Sequence, residues 1–312
     1  MSNLKYIFGP APSRRLGRSL GINIVPSKIC SLDCLYCEVG KTKATTMQIK
    51  PYIKAKDILD EFSKNYDNFK ELCDVITITG AGEPTLNSEL YDILKGIKSI
   101  TDKEVAILTN TTTLHIESVY NTLLLFDIVV PSLDSVDELS FHNINLPDKN
   151  IKIENIISSL EKFSHEYKGR LFVEVLFCKG VNDDEKSIEK LINVLSNVEA
   201  EKVQLGTIHR PPAYENIEKV DDEFLLSTAN LLKKHNINAE VTGGFSSVYK
   251  TSASLNLHDL IPSLLKMRPC TLQDITCVFG KSEKEIESSL NTLISQGIIK
   301  PINYNNDTYY TL

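Results

Sequence analysis

The sequence predicts an α/β protein, a partial (β/α)6, TIM-like barrel over residues 1–250 with a small C-terminal winged-helix domain over residues 255–312. The first observation is that apolar, β-rich runs alternate with amphipathic runs from about residue 20 to residue 245, a pattern typical of a parallel sheet covered by helices. The second is that six or seven such repeats fit a complete or partial barrel better than a small open sheet. The third is a change after residue 255 in the pattern of predicted helices and strands, which separates the second domain from the first.

The predicted strands are short apolar runs: Gly21–Val25, Asp74–Thr79, Glu104–Thr109, Phe126–Pro131, Leu171–Phe177, Lys202–Thr207 and Ala239–Thr242. The predicted helices between them are amphipathic: Ala55–Tyr66, Ser88–Ile100, Ile151–Tyr167, Glu185–Val198 and Asp222–His235. In a β/α barrel the residues just after each strand form the active face. The unusual residues of this chain fall there, which predicts a single catalytic mouth.

The C-terminal part of the chain has the element order of a winged helix. Thr271–Asp274 is able to cap a short helix, and Ser282–Glu285 is a capping box that opens a longer one, which Gly297 ends. Ile298–Asn303 and Thr308–Leu312 then have the pattern of two strands around a polar turn. The predicted order is three helices followed by a hairpin.

The charge of this domain argues against DNA binding. The presumed recognition helix carries Glu283, Glu285 and Glu287 against Lys284, and residues 257–312 contain five Lys or Arg and six Asp or Glu. Phosphate binding needs the opposite sign. We therefore expect the domain to pack against the barrel or to dock substrate.

Composition predicts a soluble, cytoplasmic globular protein. The chain has 42% hydrophobic and 24% charged residues, and no apolar run approaches the length of a membrane span. The start of the chain does not have the pattern of a signal peptide, and free thiols suit a reducing compartment. A net charge of −7 argues against broad, non-specific binding to nucleic acid, and no membrane partner is expected.

Three of the seven cysteines, Cys30, Cys34 and Cys37, form a C-x3-C-x2-C pattern just after the first predicted strand. Three close thiolates are able to hold three irons of a cubane 4Fe–4S cluster and to leave the fourth iron open for chemistry. The alternatives are buried structural thiols, a disulfide pair or a zinc site. The odd number of cysteines argues against a disulfide framework. A zinc knuckle needs a fourth Cys or His close by, and the first histidine, His115, lies far along the chain from the motif. The spacing favours the cluster.

A second motif, Gly80–Thr85, follows the second predicted strand. Alone it is explained as a strand-to-helix turn, because glycines permit close backbone approach and Pro84 fixes the chain. With the cysteine run one strand earlier, the Glu83 carboxylate is able to face the open iron and to accept a hydrogen bond from an ammonium group. The glycines would then leave room for a small amino acid.

At these residues the chain resembles the radical S-adenosylmethionine (SAM) superfamily. The superfamily's Cys-x3-Cys-x-aromatic-Cys motif is matched by Cys30, Cys34, Tyr36 and Cys37, and its Gly-Gly-Glu motif by Ala81-Gly82-Glu83, with Ala in place of the first Gly. Other stretches resemble the branch of wyosine-forming tRNA enzymes and uncharacterised iron–sulfur oxidoreductases: Phe8–Gly17, Ser132–Asp134, Lys179–Asp183 and Arg210–Pro212. The resemblance covers about residues 7–245.

The resemblance implies both cofactors and a mechanism. The three thiolates would hold a 4Fe–4S cluster, and SAM would chelate the free iron through its amino and carboxylate groups. Reduction by a protein such as flavodoxin or ferredoxin would then cleave SAM to methionine and a 5′-deoxyadenosyl radical, which abstracts hydrogen from a substrate. The barrel would supply orientation and keep the radical away from water.

The resemblance also implies roles for residues that follow the predicted strands. These cofactor-binding candidates are Tyr36, Gly82, Glu83, Asn110, Ser132 and Asp134. Glu83 would bind the SAM ammonium group, Tyr36 would lie against the adenine, and Ser132 or Asp134 would bind the ribose hydroxyls, with Asn110 nearby. Ordinary turn chemistry is the competing explanation for the last three.

Two arginines are candidates for contacts with an anionic substrate group, because guanidinium matches carboxylate and phosphate geometry. Arg15 belongs to a basic group before the first predicted strand. Arg210 stands before two prolines at the barrel mouth and is the stronger candidate.

The leading functional hypothesis is a radical SAM enzyme that acts on a tRNA base, a peptide or protein, or a small metabolite. The branch resemblance suggests tRNA, whereas the acidic net charge and the absence of cysteines for an auxiliary cluster weigh against it. The alternative is an iron–sulfur-sensing winged-helix transcriptional regulator. A third possibility is a scaffold that stores or transfers a cluster.

Overall fold

An eight-stranded sheet forms the centre of the computed structural model, which describes residues 4–13, 16–26, 28–242 and 256–312. Its strands pair in chain order, with β2–β8 parallel and β1 antiparallel to β2. The strands are β1 Ile7–Ser13, β2 Gly17–Asn23, β3 Val75–Thr79, β4 Val105–Thr109, β5 Ile128–Pro131, β6 Arg170–Phe177, β7 Lys202–Thr207 and β8 Ala239–Val241. In the described part of the chain the two edge strands, β1 and β8, do not pair with each other. The predicted α/β fold with a parallel sheet is confirmed.

Six crossovers join the parallel strands, and each contains at least one helix. The helices are α1 Ala55–Asn65, α2 Leu90–Ile100, α3 Glu117–Leu123, α4 Glu138–Ile144, α5 Ile153–Glu166, α6 Glu185–Leu195 and α7 Asp222–Lys234. Their apolar stripes face the sheet: α1, for example, buries Ala55, Ile58 and Phe62. Asp184 and Asp221 cap α6 and α7 by accepting backbone N–H bonds in the first turn.

The sequence pattern does not predict β1, because this strand contains Gly9, Pro10 and Pro12, residues that are unfavourable inside a strand. An edge strand tolerates proline, and the β1–β2 register shifts between Phe8 and Ala11. The Phe8 ring covers Gly21 of β2, where an added Cβ would stand 2.1 Å from the Phe8 Cζ atom. The boundary of the next strand also differs from the prediction, since β2 ends at Asn23 rather than Val25.

The inner face of the sheet is closed at one end by a small apolar cluster of Val75, Ala106, Ile128, Val130 and Phe172, all buried. Most of these residues lie near the amino ends of their strands. The outer face packs against the helices in one continuous core. The open space on the inner face is therefore at the carboxyl ends of the parallel strands, which is the functional end of β/α folds.

The C-terminal residues form α8 Leu257–Leu265, β9 Cys270–Thr271, α9 Leu272–Phe279, α10 Glu283–Ser295, β10 Lys300–Tyr304 and β11 Asp307–Thr311. The three strands make an antiparallel sheet in the order β10-β11-β9. Reciprocal capping boxes start α9 and α10 at the predicted positions. Helices α8 and α9 pack on β1, and the Ser263 hydroxyl donates to the Ile7 carbonyl at 2.8 Å.

None of the helices in the described ranges is long and apolar enough to cross a membrane.

Glu61 of α1 anchors the start of β1, since its carboxylate accepts backbone N–H bonds from Lys5, Tyr6 and Ile7 at 2.8–2.9 Å. We predict that Glu61→Gln lowers the free energy of unfolding by about 1–3 kcal/mol, because the amide replaces one acceptor oxygen with a donor. Chemical denaturation measures the change. The control is Asp60→Asn on the exposed face of the same helix, which should stay within about 0.5 kcal/mol of wild type. Equal effects of the two variants would contradict the assignment.

Candidate functional site

The cysteine run lies on the loop that follows β2, at the carboxyl ends of the parallel strands. We call residues 28–46 the cluster loop. All seven cysteines are free thiols, and Cys30, Cys34 and Cys37 are partly exposed while the other four are buried. The loop is held by backbone hydrogen bonds, among them Leu35 N to Ile144 O at 2.9 Å and Thr46 N to Cys30 O at 2.9 Å.

The entry to the cluster loop is clamped against the turn after β3. Lys28 N donates to Ala81 O at 2.6 Å, and Glu83 N donates to Ile29 O at 2.8 Å. A Cβ added to Gly82 would stand 1.8 Å from the Ile29 carbonyl oxygen. The space beside Gly82 is therefore filled by the backbone of the cluster loop. This corrects the expectation that this glycine leaves room for a bound amino acid.

Glu83 is buried beneath the mouth, with 2% of its surface exposed. Its Oε1 accepts from Thr85 N, Thr85 Oγ1 and Thr109 Oγ1 at 2.6–3.1 Å, while Oε2 accepts from Asn110 N at 2.7 Å. Burial raises the Glu83 pKa, and these hydrogen bonds, Thr85 first, lower it. Oε2 has one donor against three for Oε1, and a carboxylate oxygen with a single donor is able to accept another.

Each cysteine of the run accepts a hydrogen bond from a side-chain nitrogen. Asn110 Nδ2 lies 3.5 Å from Cys30 Sγ, Asn145 Nδ2 lies 3.4 Å from Cys34 Sγ, and Lys28 Nζ lies 3.5 Å from Cys37 Sγ. We call these three residues the sulfur donors: Lys28, Asn110 and Asn145. The sequence does not predict Lys28 and Asn145 as site residues, since no motif or strand end distinguishes them.

The three cysteine thiols are able to bind an iron–sulfur cluster, whose iron ions supply positive charge. Burial raises the pKa of the Cys30 thiol to about 12, and burial followed by the Asp134 charge raises the pKa of Cys34 well above its ordinary value. Such thiols release their protons when a metal supplies the positive charge. Within the described residues, no three His, Cys, Asp or Glu side chains converge closely enough to hold a single ion. A cubane places each thiolate on a separate iron, so it does not need the three sulfurs to converge on one ion.

Asp134 follows β5 and is buried in a closed network. Its Oδ1 accepts from Leu176 N at 2.9 Å, and its Oδ2 accepts from Asn145 Nδ2 at 2.7 Å and from the Tyr36 hydroxyl. Burial raises the Asp134 pKa, whereas the Tyr36 and Asn145 hydrogen bonds lower it. The carboxylate therefore fixes Tyr36 and Asn145 beside Cys34.

Ser132 and Asn110 lie close to this network. With Tyr36 and Asp134 they line a small cavity, and the Ser132 carbonyl accepts from Thr111 Oγ1 at 2.9 Å. The structure thus brings the six cofactor-binding candidates to one end of the sheet. Their individual contacts with SAM stay predictions.

A cavity of about 360 Å³ occupies the inner face of the sheet. We call it the central cavity. Cys34, Tyr36 and Cys37 line one side, the strands contribute polar residues such as Glu174, and the C-terminal segment contributes Met267 and Arg268. The residues after α8 thus form part of the wall.

Arg210 borders the central cavity but has partners within the chain. Its side chain is 5% exposed and pairs with Glu38 at 3.0 Å and with Asp274 of α9 at 3.7 Å. Burial alone would lower the Arg210 pKa, but the two carboxylates raise it above its ordinary value. Arg210 therefore ties the cluster loop to the C-terminal helices, and its contact with substrate stays a prediction. The other substrate candidate, Arg15, lies outside the described residues.

The radical SAM superfamily model matches residues 24–192, and the chain belongs to this superfamily. Members use a 4Fe–4S cluster and SAM and require an electron donor such as flavodoxin or ferredoxin. The three cysteines, their hydrogen-bond donors and Glu83 all lie within the matched residues.

More narrowly, the chain is similar to UPF0026 proteins. It is 30% identical over 308 residues to one from Methanocaldococcus jannaschii, covering 97% of this chain and 94% of that protein. It is also 30% identical over 297 residues to GTPase Obg of Brachyspira hyodysenteriae, covering 95% of this chain but only 43% of that relative. A probable dual-specificity RNA methyltransferase RlmN of Thermotoga petrophila is 25% identical over 224 residues, which cover 68% of this chain and 61% of the enzyme.

Several solved structures share the fold. Streptococcus suis SuiB bound to precursor peptide SuiA superposes with a TM-score of 0.55 at 17% identity, over 74% of this chain and 50% of SuiB. TYW1 with a lysine-pyruvate adduct bound gives a TM-score of 0.52 at 18% identity, over 70% of this chain and 74% of TYW1.

We predict that Gly82→Ala displaces the cluster loop, because the new methyl group would overlap the Ile29 backbone. The free energy of unfolding should fall by about 1–3 kcal/mol. Iron and sulfide bound after anaerobic reconstitution should fall with it. Gly206→Ala is the control, since the new methyl group would meet the Thr242 hydroxyl at 3.0 Å, and this side chain is able to adjust. Full iron content in the Gly82 variant would contradict the clamp.

Proposed function

We propose that the protein is a radical SAM enzyme in which Cys30, Cys34 and Cys37 hold the cluster and Glu83 binds the SAM ammonium group. A single residue carries the argument. Asn110 donates its backbone N–H to Glu83 Oε2 at 2.7 Å and its side-chain N–H to Cys30 Sγ at 3.5 Å. The carboxylate and the first sulfur are thus held on either side of one asparagine, within reach of one small ligand.

When bound, the cluster and SAM supply an electron and a 5′-deoxyadenosyl radical that abstracts hydrogen from substrate. The chain's own residues bind and orient. Glu83 would accept a hydrogen bond from the SAM ammonium group, and Asp134 keeps Tyr36 in place beside the sulfurs. The walls of the central cavity exclude water from the reacting groups.

We propose that the substrate is a peptide or protein side chain, or a small metabolite. The central cavity, about 360 Å³, is at the small end of ligand sites, so a macromolecule would insert only one group. The net charge of −7 disfavours an RNA substrate. The similarity to RlmN points to RNA, and label transfer from deuterated substrates to 5′-deoxyadenosine decides between the classes.

We further propose that residues 257–312 form a winged-helix domain that docks the substrate. The order of three helices and a three-stranded sheet supports this. A groove of about 870 Å³ runs between these residues and the loop after β7, with Arg210 bordering both the groove and the central cavity. Docking there would place a substrate beside the cluster loop. The comparisons give no support to the alternative, an iron–sulfur-sensing transcriptional regulator.

The enzyme hypothesis predicts that anaerobically reconstituted, reduced protein converts SAM to 5′-deoxyadenosine, as detected by mass spectrometry. Cys34→Ala should abolish this, while Cys73→Ala, which removes a buried thiol remote from the motif, should retain it. Glu83→Gln should raise the KM for SAM by about 10- to 100-fold, because one charge-assisted hydrogen bond contributes about 1.5–3 kcal/mol. Cluster-loaded wild-type protein that leaves SAM intact would refute the proposal.

The link between the cluster loop and the C-terminal helices predicts a large effect at Arg210. Arg210→Met should lower the free energy of unfolding by about 3–5 kcal/mol, since Glu38 and Asp274 lose a buried cation. The Arg210→Met, Asp274→Asn double variant should lose less than the sum of the single changes, because the two residues are in contact. Chemical denaturation of the single and double variants measures these losses. Additive losses would show that the pair does not couple the two segments.

A further inference from the structure

We propose that the sulfur donors, Lys28, Asn110 and Asn145, set the reduction potential of the cluster by donating one hydrogen bond to each of its three cysteine ligands. This inference rests on the cluster of the proposed function and goes beyond it, because it assigns a role to residues outside both motifs. The observation is the one-to-one pairing, with donor-to-sulfur distances of 3.4–3.5 Å.

The two asparagines are oriented by contacts that do not depend on a cluster. Asn110 Oδ1 accepts from Thr112 N and Thr112 Oγ1 at 3.2 and 2.8 Å, which leaves its Nδ2 for Ser31 and Cys30. Asn145 is 3% exposed, and its Nδ2 donates to Asp134 at 2.7 Å as well as to Cys34. Both amides are therefore preorganised with the donor group directed at sulfur.

Lys28 supplies the only full positive charge among the three donors. Its ammonium contacts Cys37 Sγ and also the carbonyl oxygen of Gly40, so it is held between two points of the cluster loop. Its backbone N–H is bonded to Ala81 O at 2.6 Å, and its φ of 63° is left-handed. The residue is thereby fixed at the point where the loop enters the site.

The electrostatic consequence has a definite sign. One-electron reduction adds a negative charge to the cluster, and N–H donors or a cation beside the sulfurs stabilise that added charge. Glu83 and Asp134, which bond to Asn110 and Asn145, carry negative charge and act in the opposite direction. The sulfur donors therefore raise the reduction potential, whereas the two carboxylates lower it. Lys28 contributes most because it is charged.

The test is an EPR-monitored redox titration of the reconstituted full chain, following the one-electron reduction of the cluster. Lys28→Met removes the charge and the donor, and should lower the reduction equilibrium constant about tenfold, which corresponds to about 59 mV. Lys28→Arg should stay within about twofold of wild type. Iron and sulfide content must match between samples, so that differences in potential do not reflect differences in cluster loading. The potential is measured without catalytic turnover.

The matched control is Lys41→Met, which removes an exposed charge from the same loop. The Lys41 ammonium lies 4.1 Å from the centroid of the Tyr214 ring. It should shift the equilibrium constant by less than about twofold. Asn110→Ala and Asn145→Ala each remove a neutral donor and should shift it in the same direction as Lys28→Met but by less.

Two results would overturn the inference: an unchanged potential in loaded Lys28→Met protein, or an equal shift in Lys41→Met. If Lys28→Met does not load, the asparagine variants test the inference through the sign of their shifts, and an unchanged or raised potential in both would overturn it. Failure of the wild-type chain to load any cluster would instead refute the proposed function. The two hypotheses are thus tested separately.

Discussion

The pair of backbone hydrogen bonds between the cluster loop and the turn after β3 is the constraint on which the site depends. Residues 28 and 29 bond to Ala81 and Glu83, and Gly82 provides the contact surface between them. These bonds satisfy backbone groups of two loops that would otherwise need water. They also fix the distance between the first cysteine and the Glu83 carboxylate, because both are carried by the clamped segments.

The site has the same construction on its two sides. On one side a buried carboxylate, Glu83, holds Asn110, which donates to Cys30. On the other a buried carboxylate, Asp134, holds Asn145, which donates to Cys34. Each carboxylate follows a parallel strand, so the register of the sheet determines where the sulfurs lie. Rigid strands thereby position a loop that has little regular structure of its own.

Much of this arrangement is predictable from the sequence, for identifiable reasons. The seven parallel strands and the longer helices are predictable because buried strands and amphipathic helices have a strong periodicity. The cysteines and Glu83 are predictable from their spacing and order. Asn145 is not, because it ends α4, a seven-residue helix too short to show a period. Nor are the partners of Arg210, because Glu38 is 172 residues away in sequence and such pairs leave no local pattern.

The packing of α8 and α9 on β1 joins segments that are far apart in sequence, since Ser263 and Ile7 are 256 residues apart. β1 is the first strand of the sheet in chain order, yet two of the helices that pack on it lie beyond residue 256. During synthesis β1 is therefore made long before α8 and α9, which pack on it in the folded protein. An uncovered edge strand invites pairing with other chains. α8 and α9 thus cover an edge strand, while Met267 and Arg268 complete the wall of the central cavity.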